Sequence, residues 1–119
     1  MISDHLGLIN DLASYDKELR AFESGKATEM INLVAVMKSL LSLPTNDAAK
    51  VATYEYQLQV ESWIMQEIEH LEAHENLSEE EWCFIEAVLL TATGNVFWCM
   101  TSSRYGGEAA RIKSVAGIE

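Results

Sequence analysis

Positive charge is what this sequence has least of: 8 Lys and Arg stand against 19 Asp and Glu, a formal net charge of −11 over 119 residues. Nucleic-acid phosphates are bound by clustered Lys and Arg, so this balance argues against a nucleic-acid partner, and an acidic surface repels anionic membranes. Cysteine is sparse as well. Cys83 and Cys99 lie far apart, in no paired motif and on apolar helical segments, which points to reduced thiols and a cytoplasmic setting. Strand-like alternation, internal repeats and low-complexity tracts are all missing. The opening Met1-Ile2-Ser3-Asp4-His5 lacks the basic region and long apolar core of a secretory signal, so none is expected. The longest uncharged run, 87–103, contains Thr91, Thr93, Gly94 and Asn95, which makes it too short and too polar to span a bilayer comfortably. The expectation is a buried helix.

What is present is apolar residues at helical spacing. Hydrophobic residues make up 49% of the chain, which excludes a disordered composition and an integral membrane protein and fits one soluble domain or a piece of one. The pattern predicts an all-α fold of four helices, over 4–23, 27–42, 47–74 and 79–101, with a weakly periodic tail over 106–119. Ser3 or Asp4 would cap the first helix, which carries Leu6, Ile9, Leu12 and Leu19 and ends before Ser24-Gly25. Met30, Ile31, Val34, Met37, Leu40 and Leu41 give the second a broad apolar face, closed by Leu43-Pro44-Thr45 because proline disfavours helical geometry in the preceding residue. Asn46 or Asp47 would cap the third. Ser78-Glu79-Glu80-Glu81 is a capping box that starts the fourth, with a hydroxyl at the cap and a carboxylate three residues on.

One stretch stands out within the first helix. In Asn10-Asp11-Leu12-Ala13-Ser14-Tyr15-Asp16-Lys17-Glu18, the oxygen-bearing Asn10, Ser14 and Glu18 recur every fourth residue. On a helix they climb one face, about 6 Å per step. An amide oxygen, a hydroxyl and a carboxylate are hard ligands of the kind Mg²⁺ prefers. Long helical side chains lean toward the N-terminus, so Glu18 can reach back over Ser14 toward Asn10 and converge on one ion. Lys17 can neutralise a phosphate. Spacing by itself is also what any solvated helix face shows.

The whole pattern is more particular. Asn-Asp-x-x-Ser-x-x-x-Glu, with Lys before the Glu, resembles the second metal-binding motif of class I terpene synthases, in the form found in fungal sesquiterpene cyclases. Near the other end, Trp98 is followed after five residues by Arg104-Tyr105 and preceded by Gly94-Asn95. An arginine fork and a phenol hydroxyl suit phosphate oxygens, and this arrangement is similar to the C-terminal signature of the same cyclases. The resemblance covers roughly Ile9 to Gly107.

That resemblance implies a lyase in which Mg²⁺ binds the diphosphate of an isoprenoid substrate, farnesyl diphosphate being favoured. The diphosphate leaves and the carbocation cyclises in an apolar pocket. By the same resemblance Asn10, Ser14 and Glu18 would hold Mg²⁺, and Lys17, Arg104 and Tyr105 would contact the diphosphate. Asp11 would not ligate. Trp98 would line the pocket and Asn95 would lie near it, whereas core packing is expected of Phe97, Trp82 and Trp63.

The sequence also departs from the family. It contains no two adjacent aspartates, although these cyclases need an upstream aspartate-rich motif for their other Mg²⁺ ions, and their fold is much longer. The chain is therefore read as a C-terminal portion, from a truncated gene model, a cleaved piece or a degenerate copy, and by itself inactive. Apolar helix faces without partners would favour self-association. The competing reading is a non-enzymatic, acidic helical module for oligomerisation or interaction. His70 and His74, four residues apart among glutamates, are expected on an exposed face rather than at a transition metal. Glu79, Glu80 and Glu81 lack the spacing and glycine turn of a calcium loop.

Overall fold

The computed structural model describes residues 1–101, and all statements of structure concern these. They form helices α1 (Ile2–Glu23), α2 (Leu33–Leu40), α3 (Asn46–His74) and α4 (Glu79–Thr101), with no strand among the described residues. The all-α expectation holds. Helix α1 is the hub and packs on α2, α3 and α4, while α2 also packs on α3.

Two apolar clusters fasten this arrangement. Leu12 and Tyr15 of α1 meet Val34 of α2 and Ala49 of α3, with Leu19, Met30, Ala35 and Leu43 around them. Further along, Leu8 of α1 meets Val60 and Ile64 of α3, flanked by Ile2, Leu33, Ile68 and Leu89. Each large aliphatic side chain buried this way contributes about 1.5–3 kcal/mol. Polar contacts add to the first cluster at its outer end. Asn46 Oδ1 accepts from both the Tyr15 hydroxyl (2.9 Å) and Lys38 Nζ (2.8 Å). The buried Lys50 ammonium pairs with Asp16 at 2.7 Å and lies 5.7 Å from the centre of the Tyr15 ring.

Helix ends follow local chemistry, with three differences from the sequence reading. Helix α1 begins at Ile2 after Met1, and neither Ser3 nor Asp4 caps it. Thr45 caps α3 by accepting from the Ala48 N–H at 3.0 Å, in place of Asn46 or Asp47, because Asn46 is held by Tyr15 and Lys38. The largest difference is α2, which begins at Leu33 rather than near Ala27. Asn32 adopts extended backbone and accepts from the Val34 N–H at 2.8 Å, so the helix starts after it despite the helical apolar spacing upstream. Ile31, expected on the apolar face, is 83% exposed. The capping box at Ser78 forms as expected: Glu81 N–H donates to the hydroxyl at 3.1 Å, and the hydroxyl donates to the Glu81 carboxylate at 3.2 Å.

Both α1 and α2 stop in the same way. After α1, Gly25 takes a positive φ of 78°, Lys26 N–H bonds Ala21 O at 2.9 Å and Gly25 N–H bonds Phe22 O at 3.2 Å. After α2 the same pair of bonds forms, Leu43 to Lys38 and Ser42 to Ser39, but the left-handed position is filled by Ser42 at φ 52°.

Helix α4 overturns the expectation of a buried helix. Ala92 and Cys99 are its buried residues, whereas Phe84, Leu90, Phe97 and Trp98 are exposed. It is also the one helix among the described residues that is long and apolar enough to cross a membrane by length and composition alone, with 11% of the apolar window buried. The apolar run is real, but the described chain covers little of it. Phe97 and Trp63, expected in the core, are exposed, and Trp82 is half-buried.

Candidate metal and diphosphate site

The motif stripe of α1 lies beside the start of α2, and its polar groups are already joined. Ser14 is buried, Asn10 and Glu18 are half-buried and Lys17 is exposed. The Ser14 hydroxyl donates to Glu18 Oε1 at 2.6 Å. Asn32 Nδ2 donates to Glu18 Oε2 at 3.3 Å and to the Asp11 carbonyl at 2.9 Å. Leu33 N–H donates to Asp11 Oδ2 at 2.8 Å. Asp11 and Asn32 therefore share the first amides of α2, which have no partner within the helix and where a negative charge is also favoured by the helix dipole.

This arrangement separates the roles of the two carboxylates. Burial pushes the Asp11 carboxyl above its usual range; the Leu33 N–H opposes that rise and the nearby Glu18 charge adds to it. Asp11 is thus committed to structure. Glu18 keeps one bond on each oxygen, which leaves further lone pairs on both.

Ser14 and Glu18 bring together two oxygens of the kind a hard divalent cation takes. Ligand oxygens on neighbouring vertices of a Mg²⁺ octahedron are separated by about 2.9 Å, given bonds of about 2.1 Å. The Ser14–Glu18 oxygen pair lies close to that spacing. Every donor in the set is oxygen, and among the described residues no group of three or more His, Cys, Asp or Glu side chains is placed to hold a metal ion. His70 and His74, with ring centres 4.6 Å apart, are both exposed, as expected. Cys83 is exposed and Cys99 buried, both as free thiols, the latter raised in pKa by burial.

The remaining candidates are less gathered. Trp98 is 57% exposed on α4. Asn95 is half-buried and accepts from the Cys99 thiol at 3.8 Å, while its Nδ2 has no partner among the described residues. Neither lines the open groove of about 760 Å³ between α1, α3 and α4, whose walls include Ile64, Leu89, Val96 and Phe97. Arg104 and Tyr105, with the tail over 106–119, lie outside the described residues.

Two pairings were not read from the sequence. His5 Nε2 and Glu61 Oε1 meet at 2.8 Å on the groove wall across 56 residues, a distance no local pattern encodes. Asn32 did carry a signal, since Asn directly before the apolar Leu33-Val34 is a helix-start pattern.

No protein-family profile matches the chain. Similarity to individual curated proteins is extensive. The chain is 27% identical over 106 residues to a bifunctional sesterterpene synthase of Aspergillus aculeatus, a match covering 89% of this chain and 15% of that protein. It is 29% identical over 103 residues to the bifunctional terpene synthase FUP1 of Fusarium proliferatum, covering 86% of this chain and 14% of that one. Terpene cyclase 6 of Gibberella fujikuroi is 32% identical over 101 residues, covering 85% of this chain and 27% of the relative. An all-α chain with the Asn/Ser/Glu stripe on its hub helix is thus similar over most of its length to fungal terpene synthases. It spans between about a seventh and about a quarter of the length of these relatives.

Proposed function

We propose that this chain is the C-terminal part of a class I terpene cyclase, a lyase that converts an acyclic isoprenoid diphosphate to a cyclic terpene. The observation that carries this reading is the Ser14–Glu18 pair, joined at 2.6 Å within the Asn-Asp-x-x-Ser-x-x-x-Glu motif and backed by α2. Asn10, Ser14 and Glu18 would hold Mg²⁺. The ion, when bound, would stabilise the charge that develops on the departing diphosphate. Lys17, exposed beside the stripe, would contact the diphosphate, and resemblance assigns Arg104 and Tyr105 the same task. Trp98 would offer its aromatic face to a cation, with Asn95 nearby.

Farnesyl diphosphate is the proposed substrate. The name of the Aspergillus relative extends the range to longer isoprenoid diphosphates. Since the sequence contains no paired aspartates, the other ions would have to be held by a further segment, and this chain by itself would not turn over. Such a segment would also cover Phe84, Leu90 and Phe97, which α1 and α3 leave exposed. The acidic surface fits neither nucleic acid nor an anionic membrane as partner, and a cytoplasmic site of action is proposed.

The same exposed apolar residues favour one second reading, a helical module that assembles with itself or a partner without catalysis. The 5′ extent of the source transcript separates the two. The cyclase reading expects a longer frame that encodes an aspartate-rich motif and whose product releases diphosphate from farnesyl diphosphate, with Glu18→Ala lowering that rate at least a hundredfold. A transcript that starts at Met1, with a product that binds a partner but not Mg²⁺ and diphosphate, would establish the second reading.

A further inference from the structure

Asn32 is 1% exposed, and its amide is used at both ends. Oδ1 accepts from the Val34 N–H at 2.8 Å and so starts α2. Nδ2 donates to the Asp11 carbonyl at 2.9 Å and to Glu18 Oε2 at 3.3 Å, from residues about two turns apart on α1. From these contacts we infer that Asn32 is a positioning residue for the metal site, holding the Glu18 carboxylate in the orientation in which it meets the ion. This rests on the proposal that Glu18 is a Mg²⁺ ligand.

The argument runs through what other residues could do at this position. Ser and Asp cap helices about as well as Asn does, with Thr somewhat behind, so helix initiation alone does not call for an amide. An amide supplies an acceptor and two N–H donors on one short, planar group. Here the acceptor faces α2 and the donors face α1. Glu18 is thereby held from two sides, Oε1 by the Ser14 hydroxyl and Oε2 by Asn32 Nδ2. A glutamate on a helix otherwise samples several rotamers, and a carboxylate fixed by hydrogen bonds meets a cation without first being ordered. Of the two Asn32 contacts across to α1, the one at 3.3 Å is to the Glu18 carboxylate and the one at 2.9 Å is to the Asp11 carbonyl. The placement of α2 and the aim of Glu18 are therefore tied to one buried side chain: the six residues 27–32 leave the helix so that Asn32 can reach back to α1.

Partners that orient metal ligands typically change metal affinity about 10–100-fold when removed. The test is Mn²⁺ binding by the full chain in the presence of inorganic pyrophosphate, followed by the electron paramagnetic resonance signal of free Mn²⁺. The variants are Asn32→Ser, Asn32→Thr, Val34→Ala and Glu18→Ala, each checked for helical content by circular dichroism. Ser and Thr keep a capping oxygen for Val34 but are too short to reach Glu18, and Thr retains more of the buried volume if the Ser variant unfolds. Val34→Ala loosens the same helix without touching Glu18. The inference expects Asn32→Thr to weaken Mn²⁺ at least about tenfold while Val34→Ala stays within about threefold of the wild type. An Asn32→Thr affinity equal to that of the wild type, or an equal loss in Val34→Ala, overturns it while the loss in Glu18→Ala leaves the metal site standing. Mn²⁺ binding that is absent, or is untouched by Glu18→Ala, overturns the proposed function and this inference with it.

Discussion

The Ser14 hydroxyl donates to the Glu18 carboxylate across one turn of α1, at 2.6 Å, from a buried position. A short bond to a charged acceptor is among the stronger kinds in a protein. It also brings two oxygens of the proposed metal stripe together. Ser14→Ala removes one donor atom and one restraint on Glu18. The expected result is a fall in Mg²⁺ affinity of about tenfold or more, with a stability change within about 1 kcal/mol because half-exposed Glu18 can bond water instead. Titration calorimetry and urea unfolding of the same preparation check both halves.

Ser42 occupies a left-handed position that glycine fills after α1. Serine at φ 52° is strained by its Cβ, whereas Gly25 at φ 78° is not. Ser42→Gly is expected to stabilise the chain by up to about 1 kcal/mol. A higher urea midpoint with an unchanged slope would be the signature.

Asp11 gives a pH prediction. Its carboxyl is raised in the folded chain, chiefly by burial, so the folded state binds this proton more tightly than the unfolded state does. Stability from this group is therefore present at low pH and lost as pH rises from the ordinary aspartate value of 3.8 through the raised folded value. Asn at this position keeps an oxygen for the Leu33 N–H and carries no charge. Asp11→Asn should gain stability relative to the wild type as pH increases from about 4 to 7, read as the difference between the two urea midpoints. A difference that does not move with pH contradicts the assignment.

Helix α4 leaves Phe84, Leu90 and Phe97 each 71% exposed. Leu90 and Phe97, seven residues apart, share one face of the helix, and exposed apolar surface of this kind drives association in water. Sedimentation velocity of the isolated chain is expected to show concentration-dependent self-association, and Leu90→Lys with Phe97→Lys is expected to shift it toward monomer.

The places where the sequence was legible, and where it was not, have a common physical basis. Apolar spacing revealed all four helices, and Ser78 with Glu81 marked the start of α4, because both signals are local and make their bonds within a few residues. Boundaries failed where a distant residue competed for a local signal. Asn46 looks like a cap, yet Tyr15 and Lys38 claim its oxygen, and the task passes to Thr45. Met30 and Ile31 continue the helical spacing of α2, yet Asn32 is bonded to α1 and starts the helix later. The apolar character of α4 was clear from composition, but its burial depends on surfaces that the described chain does not provide. At the candidate site, the placement of Asn10, Ser14 and Glu18 at every fourth position of one helix was legible from periodicity. The backing by Asn32 was not, because 14 residues and a change of helix direction separate it from Glu18.

The account rests most directly on whether the stripe binds a metal together with a diphosphate. Titration of Mg²⁺ into the 119-residue chain by calorimetry, with and without inorganic pyrophosphate, addresses this. The account predicts saturable Mg²⁺ binding that depends on pyrophosphate and disappears in both Asn10→Ala and Glu18→Ala. Binding that is absent, or that is the same in both variants as in the wild type, would contradict it.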